Sequence, residues 1–337
     1  MFVLPITHRR CLSAATGAAL ALVVLAPFTA PSREAGALEL PSTGISLWHD
    51  LALDDPTAQV MGLTHDIDGN EWYDDAANDT LVRIDSATHA QQAFPLGAST
   101  YVTGMVGAPD GTMWFSDGRS HSLGRVDPVT SAVTWFPLTG VAVNPTSFAV
   151  GSDGNIWFAD PFFTSLVRVD SAGGITLIPE PSGEQVLDVV AAPDGRIWYS
   201  RTGADRLGAY DPASGLFADL HVGPLDGERL TLSHSGSVWI DSANQFTEVA
   251  PDGRVSVRPL AAPGPVPVHA VDLTGGDLAG DDDVQLSFLD QEYGFGTIDS
   301  AGRLHFSRLD AARTNLDVDG AGHLWINDLW GHSLQWR

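Results

Sequence analysis

The sequence predicts an all-β fold, a seven-bladed β-propeller of four-stranded blades, and three observations predict it. The first is a recurring phrase: apolar strand, Asp-Gly turn, strand with Trp, polar turn, strand ending Arg-x-Asp, turn, strand ending Pro-Leu. The second is its period. Trp72, Trp114, Trp157, Trp198 and Trp239 stand 41 to 43 residues apart, and Trp325 follows 86 residues later, which is two periods. The third is the mismatch of the two ends, each of which carries part of one further blade. A repeat of about 40–45 residues with four short strands is the signature of propeller blades.

Taken in chain order, residues 1–37 read as an export signal. Arg9-Arg10 precede an apolar run from Cys11 to Phe28, and Ala35-Gly36-Ala37 forms an A-x-A cleavage pattern. The Arg pair with Leu12 matches part of the twin-arginine pattern for export of folded chains, and ordinary export is equally compatible. Residues 38–337 are then one propeller domain. Within each copy, short runs alternate apolar and polar residues, the two-residue period of a strand. Asp68-Gly69, Asp110-Gly111, Asp153-Gly154 and Asp194-Gly195 separate such runs, and Asp-Gly is a strong hairpin signal because both residues tolerate positive φ. The repeated Trp is core, wedged between neighbouring blades. The sixth copy is weak and is placed at Val284-Gln285-Leu286-Ser287-Phe288, with Leu286 near the Trp position. The last copy stops after a third strand at Ser333–Arg337, and Gly44–Leu51 resembles a fourth strand. The N-terminal strand is therefore expected to complete the last blade and leave no open sheet edge across the ring.

Composition narrows the partners. The 337 residues carry 42 acidic and 17 basic side chains, all the latter arginine, for a net charge of −25. Such a surface repels phosphate backbones and anionic membranes, so neither nucleic acid nor membrane is an expected partner of the mature chain. A small-molecule ligand is, and the expected state is a secreted monomer. The one cysteine, Cys11, lies in the leader, and a core of this size needs no disulfide.

A site is expected at the end of the blades opposite the Asp-Gly turns. The residue 11 before each Trp and the residue 3 after it lie equally far from the turn, so they should be neighbours across the two inner strands. The early positions read Met61, Thr103, Thr146, Leu187, Glu228, His269 and Thr314. The late positions read Asp75, Asp117, Asp160, Arg201, Ser242, Leu289 and Asp328, with Asp290 as the alternative to Leu289. Four late aspartates around one mouth suit a cation; aspartate also closes turns at strand ends. His269 suits a general base, since imidazole titrates near neutrality, or a histidine bonded to backbone. Asp277, Asp281, Asp282 and Asp283 form an acidic insertion that suits either calcium or solvent.

The stretch Asp110-Gly111-Thr112-Met113-Trp114-Phe115-Ser116-Asp117, followed by Ser122-Leu123-Gly124-Arg125-Val126-Asp127, resembles the repeat phrase of the streptogramin B lyases, also called virginiamycin B lyases. The resemblance covers essentially all of the chain after the leader. It implies a seven-bladed propeller and magnesium-dependent opening of a cyclic depsipeptide lactone by elimination. A histidine acts as base while magnesium polarises the ester. The family's set is an early-position His, an E-x-H ending at the next early position, and a Glu at the late position of that blade. His269 matches the first histidine, the E-x-H falls on Ala312-Arg313-Thr314, and the glutamate falls on Asp328. The resemblance thus makes His269 the catalytic candidate and Asp328 the magnesium ligand, with Glu228, Asp117, Asp160, Arg201 and Thr314 lining the ligand site. Three readings stay open: a carbon–oxygen lyase of this type, a propeller that binds ligand or protein without catalysis, and a metal-dependent lactonase.

Overall fold

The computed structural model describes residues 48–138, 140, 144–203, 205–223, 229–233, 235–242, 245–259, 270–275, 284–290, 294–301, 303–307, 309, 313–328 and 334–337. The leader-like residues 1–37 and the acidic insertion lie outside them. So do Glu228, His269 and Ala312, and the side chains of Val271, Arg313, Thr314 and Asp328.

The described chain opens on β1 (His49–Leu51) and then makes four-stranded sheets in sequence. Blade 1 is β2 (Val60–His65), β3 (Glu71–Asp75), β4 (Thr80–Ile84) and β5 (Gln91–Pro95). Blade 2 is β6 (Val102–Gly107), β7 (Met113–Asp117), β8 (Ser122–Asp127) and β9 (Ala132–Pro137). Blade 3 is β10 (Ser147–Val150), β11 (Ile156–Ala159), β12 (Ser165–Val169) and β13 (Ile175–Pro179). Blade 4 is β14 (Val186–Ala191), β15 (Ile197–Arg201), β16 (Arg206–Asp211) and β17 (Leu216–His221). Blade 5 is β18 (Leu230–Leu232), β19 (Val238–Ser242), β20 (Gln245–Val249) and β21 (Val255–Pro259). Blade 6 is β22 (Ala270–Thr274), β23 (Val284–Asp290), β24 (Gly294–Asp299) and β25 (Leu304–Ser307). Blade 7 is β26 (Arg313–Val318), β27 (Leu324–Asp328) and β28 (Leu334–Trp336), and β1 is its fourth strand. The seven-bladed, all-β architecture and its N-terminal closure are thus as the repeats indicate. In that closure His49, Asp50 and Leu51 pair with Trp336, Gln335 and Leu334. The first strands of successive blades neighbour one another around the ring, β26 meeting β2, so they line a central channel.

The core lies in the seams between blades. The Trp of one blade shares a cluster with the residue just before the Trp position of the next: Trp72 with Met113, Trp114 with Ile156, Trp157 with Ile197, Trp198 with Val238, Trp239 with Leu286. Trp72, Trp114, Trp157, Trp239 and Trp325 are almost wholly buried. Phenylalanines of the fourth strands cover them, as Phe94 stacks on Trp72 and Phe136 on Trp114, each at 5.0 Å between ring centres. Truncating one such ring costs about 3–5 kcal/mol.

Two expectations need correction. The Asp-Gly hairpins are not two-residue turns with positive φ at both residues. Among the described residues only the glycines are positive there, Gly111 at 82° and Gly195 at 89°. The Gly111 N–H bonds to the Ala108 carbonyl at 3.0 Å, and the Ala108 N–H to the Thr112 carbonyl at 2.8 Å. This is a three-residue connection, a type I turn completed by a glycine bulge, and Pro109 and Pro193 stand where a fixed φ suits it. Asp110 then serves as acceptor for the Thr112 N–H at 3.1 Å. In the sixth blade, Leu286 is not at the Trp position. Phe288 pairs with Gly296, as Phe115 pairs with Gly124 and Tyr199 with Gly208. In all three cases a Cβ on the glycine would sit 2.0–2.3 Å from the ring opposite. Phe288 therefore occupies the position after Trp, and Ser287 stands in the Trp position itself.

The same contact yields a stability test. Gly124→Ala pushes a methyl group into the Phe115 ring, 2.0 Å from its Cζ. A loss of about 1–3 kcal/mol in urea unfolding is expected from such overpacking; an unchanged midpoint contradicts this placement of the ring.

Candidate functional site

At the end opposite the glycine turns, the late positions pair with the start of the first strand. Asp75 faces Val60, Asp117 faces Val102, Arg201 faces Val186, Asp290 faces Ala270 and Asp328 faces Arg313. Asp290, not Leu289, is thus the late residue of blade 6. In each of these five blades the first strand bulges just after that pair. A bulge bends the strand and re-aims side chains. The early residues Met61, Thr103, Leu187 and Thr314 fall in the bulge. In β22 the corresponding residue is Val271, and His269 precedes the strand.

The aspartates of this ring are turned to the backbone. Asp75 accepts N–H bonds from Gln59 at 2.9 Å and Ala77 at 3.2 Å, and one from the Asn78 amide at 2.8 Å. Asp117 accepts from the N–H of Tyr101 at 2.9 Å and of Arg119 at 3.0 Å. Asp160 accepts from the N–H of Asn144 at 2.8 Å and of Phe162 at 3.0 Å. All three are buried. Burial pushes the Asp117 carboxyl up. The hydrogen bonds from the Ser120 side chain and from the N–H groups of Tyr101, Arg119 and Ser120 outweigh it and hold the group below the usual range. The sequence shows the aspartates; that each ties down a rim loop depends on the chain before the first strand, which varies between copies.

Those loops present apolar surface. Tyr101 and Phe162, tied by their own N–H groups to Asp117 and Asp160, are 54% and 68% exposed, and Met61 in the bulge of β2 is 45% exposed. The three belong to consecutive blades, at the end where the first strands begin. Sequence spacing misses two of them, Tyr101 and Phe162, because each lies in a loop outside the repeat's paired strands.

Arg201 belongs to the scaffold. It bonds Glu180 at 2.6 Å and Asp219 at 2.7 Å, lies 3.1 Å from Glu184, and its side chain is 4% exposed. Tyr199 donates its hydroxyl to the same Glu180 at 3.3 Å. The guanidinium is engaged by three carboxylates, which a late-position count does not reveal.

Inside the channel, a cavity of about 430 Å³ is walled largely by Leu63, Phe148, Val189, Leu232, Leu273 and Leu316, with His65, Asp272 and Asp317 as its charged groups. Beside the bulges, polar side chains link one blade to the next. Asp188 receives the Leu230 N–H at 2.7 Å and the Ser147 hydroxyl; Asp272 receives the Leu316 N–H at 3.0 Å. Burial raises the carboxyls of both, that of Asp272 to about 6. Asn315 closes the circle with its amide on the Met61 carbonyl at 2.6 Å.

The oxygens of Asp75, Asp117 and Asp160 are occupied by N–H groups, and among the described residues no three His, Cys, Asp or Glu side chains converge on a point where a metal could sit. Asp328 holds its register place opposite Arg313, its side chain lying outside the description.

The role given to Asp117 is open to test. Asp117→Ala leaves the Tyr101 and Arg119 N–H groups without their acceptor and should cost about 1–3 kcal/mol, with faster hydrogen exchange at Tyr101. Tyr101→Ala should shift stability by no more than about 0.5 kcal/mol. Equal effects of the two contradict the assignment.

The fold can be set beside known proteins. Among solved structures, a streptogramin B lyase superposes with a TM-score of 0.72 at 16% identity, over 86% of this chain and 97% of that one. A catalytically inactive virginiamycin B lyase from Staphylococcus aureus with Quinupristin gives 0.70 at 16%, over 86% and 98%. The extracellular domain of a putative one-component system from B. thetaiotaomicron gives 0.64 at 13%, over 83% of this chain and 40% of that one. These identities speak for the fold alone. No curated protein sequence matches the chain. The model of the Virginiamycin B lyase family, however, matches residues 46–240, more than half of the sequence. With its seven blades and its repeat phrase, the chain belongs to the Virginiamycin B lyase family.

Proposed function

We propose that this chain is an exported, ligand-binding member of the family, which seats a small molecule at the channel mouth without opening it. One observation carries the reading. The family's E-x-H falls on Ala312-Arg313-Thr314, and the bulge of β22 favours Val271 over His269 as the early residue of blade 6. Val271, Ala312 and Thr314 cannot take a proton from a substrate carbon. Met61, Tyr101 and Phe162 offer exposed apolar surface at the end where the first strands begin, and buried carboxylates hold the loops of the latter two. The net charge of −25 favours a neutral or cationic ligand over an anionic one. The leader-like residues 1–37 support export.

A second reading, lyase activity, is favoured by Asp328, which keeps a carboxylate at the family's late position in blade 7. The two part on a single assay with quinupristin, by calorimetry and by liquid chromatography with mass spectrometry, in the presence of magnesium. Binding with an unchanged chromatogram is expected, and Tyr101→Ala or Phe162→Ala should weaken it about tenfold, as loss of an aromatic anchor does. A new peak of unchanged mass establishes elimination and overturns the proposal, and a product heavier by one water establishes hydrolysis. Absence of binding by the folded protein rejects this ligand class.

A further inference from the structure

Glu71 is the exception among the seven seams. The residue before the Trp position is apolar in the other six blades: Met113, Ile156, Ile197, Val238, Leu286 and Leu324. In blade 1 it is Glu71, which by the same rule faces blade 7 and its Trp325. The side chain is 0% exposed, and neither carboxyl oxygen has a hydrogen-bond partner. A fully buried carboxylate without partner is among the costliest groups a core can hold, whereas the protonated acid is far less so.

The groups around it favour the proton. Asp66 follows β2, Asp317 lies on β26 and Asp319 follows β26; after burial itself, these three carboxylates are what push the Glu71 carboxyl well up. The nearby cations are engaged elsewhere. His65, the strand partner of Glu71, pairs with Asp317 at 2.8 Å, and Arg83 with Asp66 at 3.1 Å. The acceptors are engaged too. Asp66 takes the indole N–H of Trp72 and Asp319 that of Trp325, each at 2.9 Å, and Asp319 also pairs with His323 at 2.9 Å. This is moreover the seam beside the sheet closed by the far end of the chain, through the three residue pairs of β1 and β28.

We propose that the seam between blades 7 and 1 is a proton-operated latch, closed while Glu71 is a neutral acid and loosened when it loses that proton. Through Glu71 the closed seam then binds one proton more than the opened one above the ordinary carboxyl range of about 4.3, and His65, raised to about 9 by Asp317 across the same seam, adds a second above about 6.5. Stability of the closure is full below that range and falls as pH rises towards the folded group's own titration. The opening constant accordingly rises about tenfold per pH unit up to about 6.5 and more steeply above it. The latch does not depend on which ligand the mouth takes.

Hydrogen exchange of the full chain between pH 5 and 9, corrected for the intrinsic rate, tests it. Segments covering β1 and β28 report the seam, and β10–β11 serve as control. Wild type should show the tenfold rise per unit in the seam and not in the control. Glu71→Met, which restores the residue type of the other blades, should flatten the rise below about pH 6.5, where the His65–Asp317 pair does not titrate, as should Glu71→Gln, which keeps the shape without the charge. If Glu71→Met does not fold, Glu71→Gln decides alone. A seam whose pH dependence is the same in wild type and variant, or an equal rise in the control, overturns the latch.

Discussion

The contact on which the molecule depends is the one between a tryptophan and the residue preceding the Trp position in the next blade. A single four-stranded blade is too small to bury both its faces, so each must borrow cover from its neighbours. Trp72 on Met113 and Trp114 on Ile156 show how a planar indole fills the wedge between two twisted sheets. Because the contact repeats from blade to blade, the ring has no natural end and must be closed on itself. The chain does so by giving its last blade a first-coming strand, so that unfolding blade 7 requires releasing both ends at once. Where the contact is altered, at Ser287 in blade 6 and at Glu71 in blade 1, the seam changes character.

Seven repeated strands also deliver seven repeated loops to one mouth, and there the repeat is broken in favour of individual jobs. The late aspartates hold the approach to the first strand by its N–H groups. Arg201 replaces such an aspartate and is balanced by Glu180, Glu184 and Asp219 instead. At this end Met61, Tyr101 and Phe162 reach solvent, while Asp75, Asp117 and Asp160 stay buried as struts. Buried charges of this kind tolerate loss of a partner poorly, which ties the rim's shape to its polar support.

The fold was legible because a Trp every 41 to 43 residues leaves few alternatives to a ring of equal blades. The strand pairing at each mouth was legible too: counting from the Trp placed Asp75, Asp117 and Arg201 opposite the first strands. Counting failed in blade 6, where a serine replaces the Trp and the turn is lengthened by the acidic insertion. The pairing of Phe288 with Gly296 and of Ala270 with Asp290 restores its register and puts Val271 in the bulge of β22. What the acids do was not legible. An aspartate at a strand end reads the same whether its oxygens face a cation or the N–H of a loop, and the choice rests on residues 16 positions earlier, such as Tyr101 for Asp117. The resemblance supplied a family, while the residues at the family's reactive positions argue for a changed use of the site.

In the proposed reading the rim carboxylates serve the loops and the ligand is seated on apolar surface. Titrating quinupristin into the protein with excess magnesium, and again with the metal removed by a chelator, tests it most directly. One affinity is expected in both conditions. Binding that vanishes on chelation and returns with magnesium contradicts it and restores a metal to the mouth.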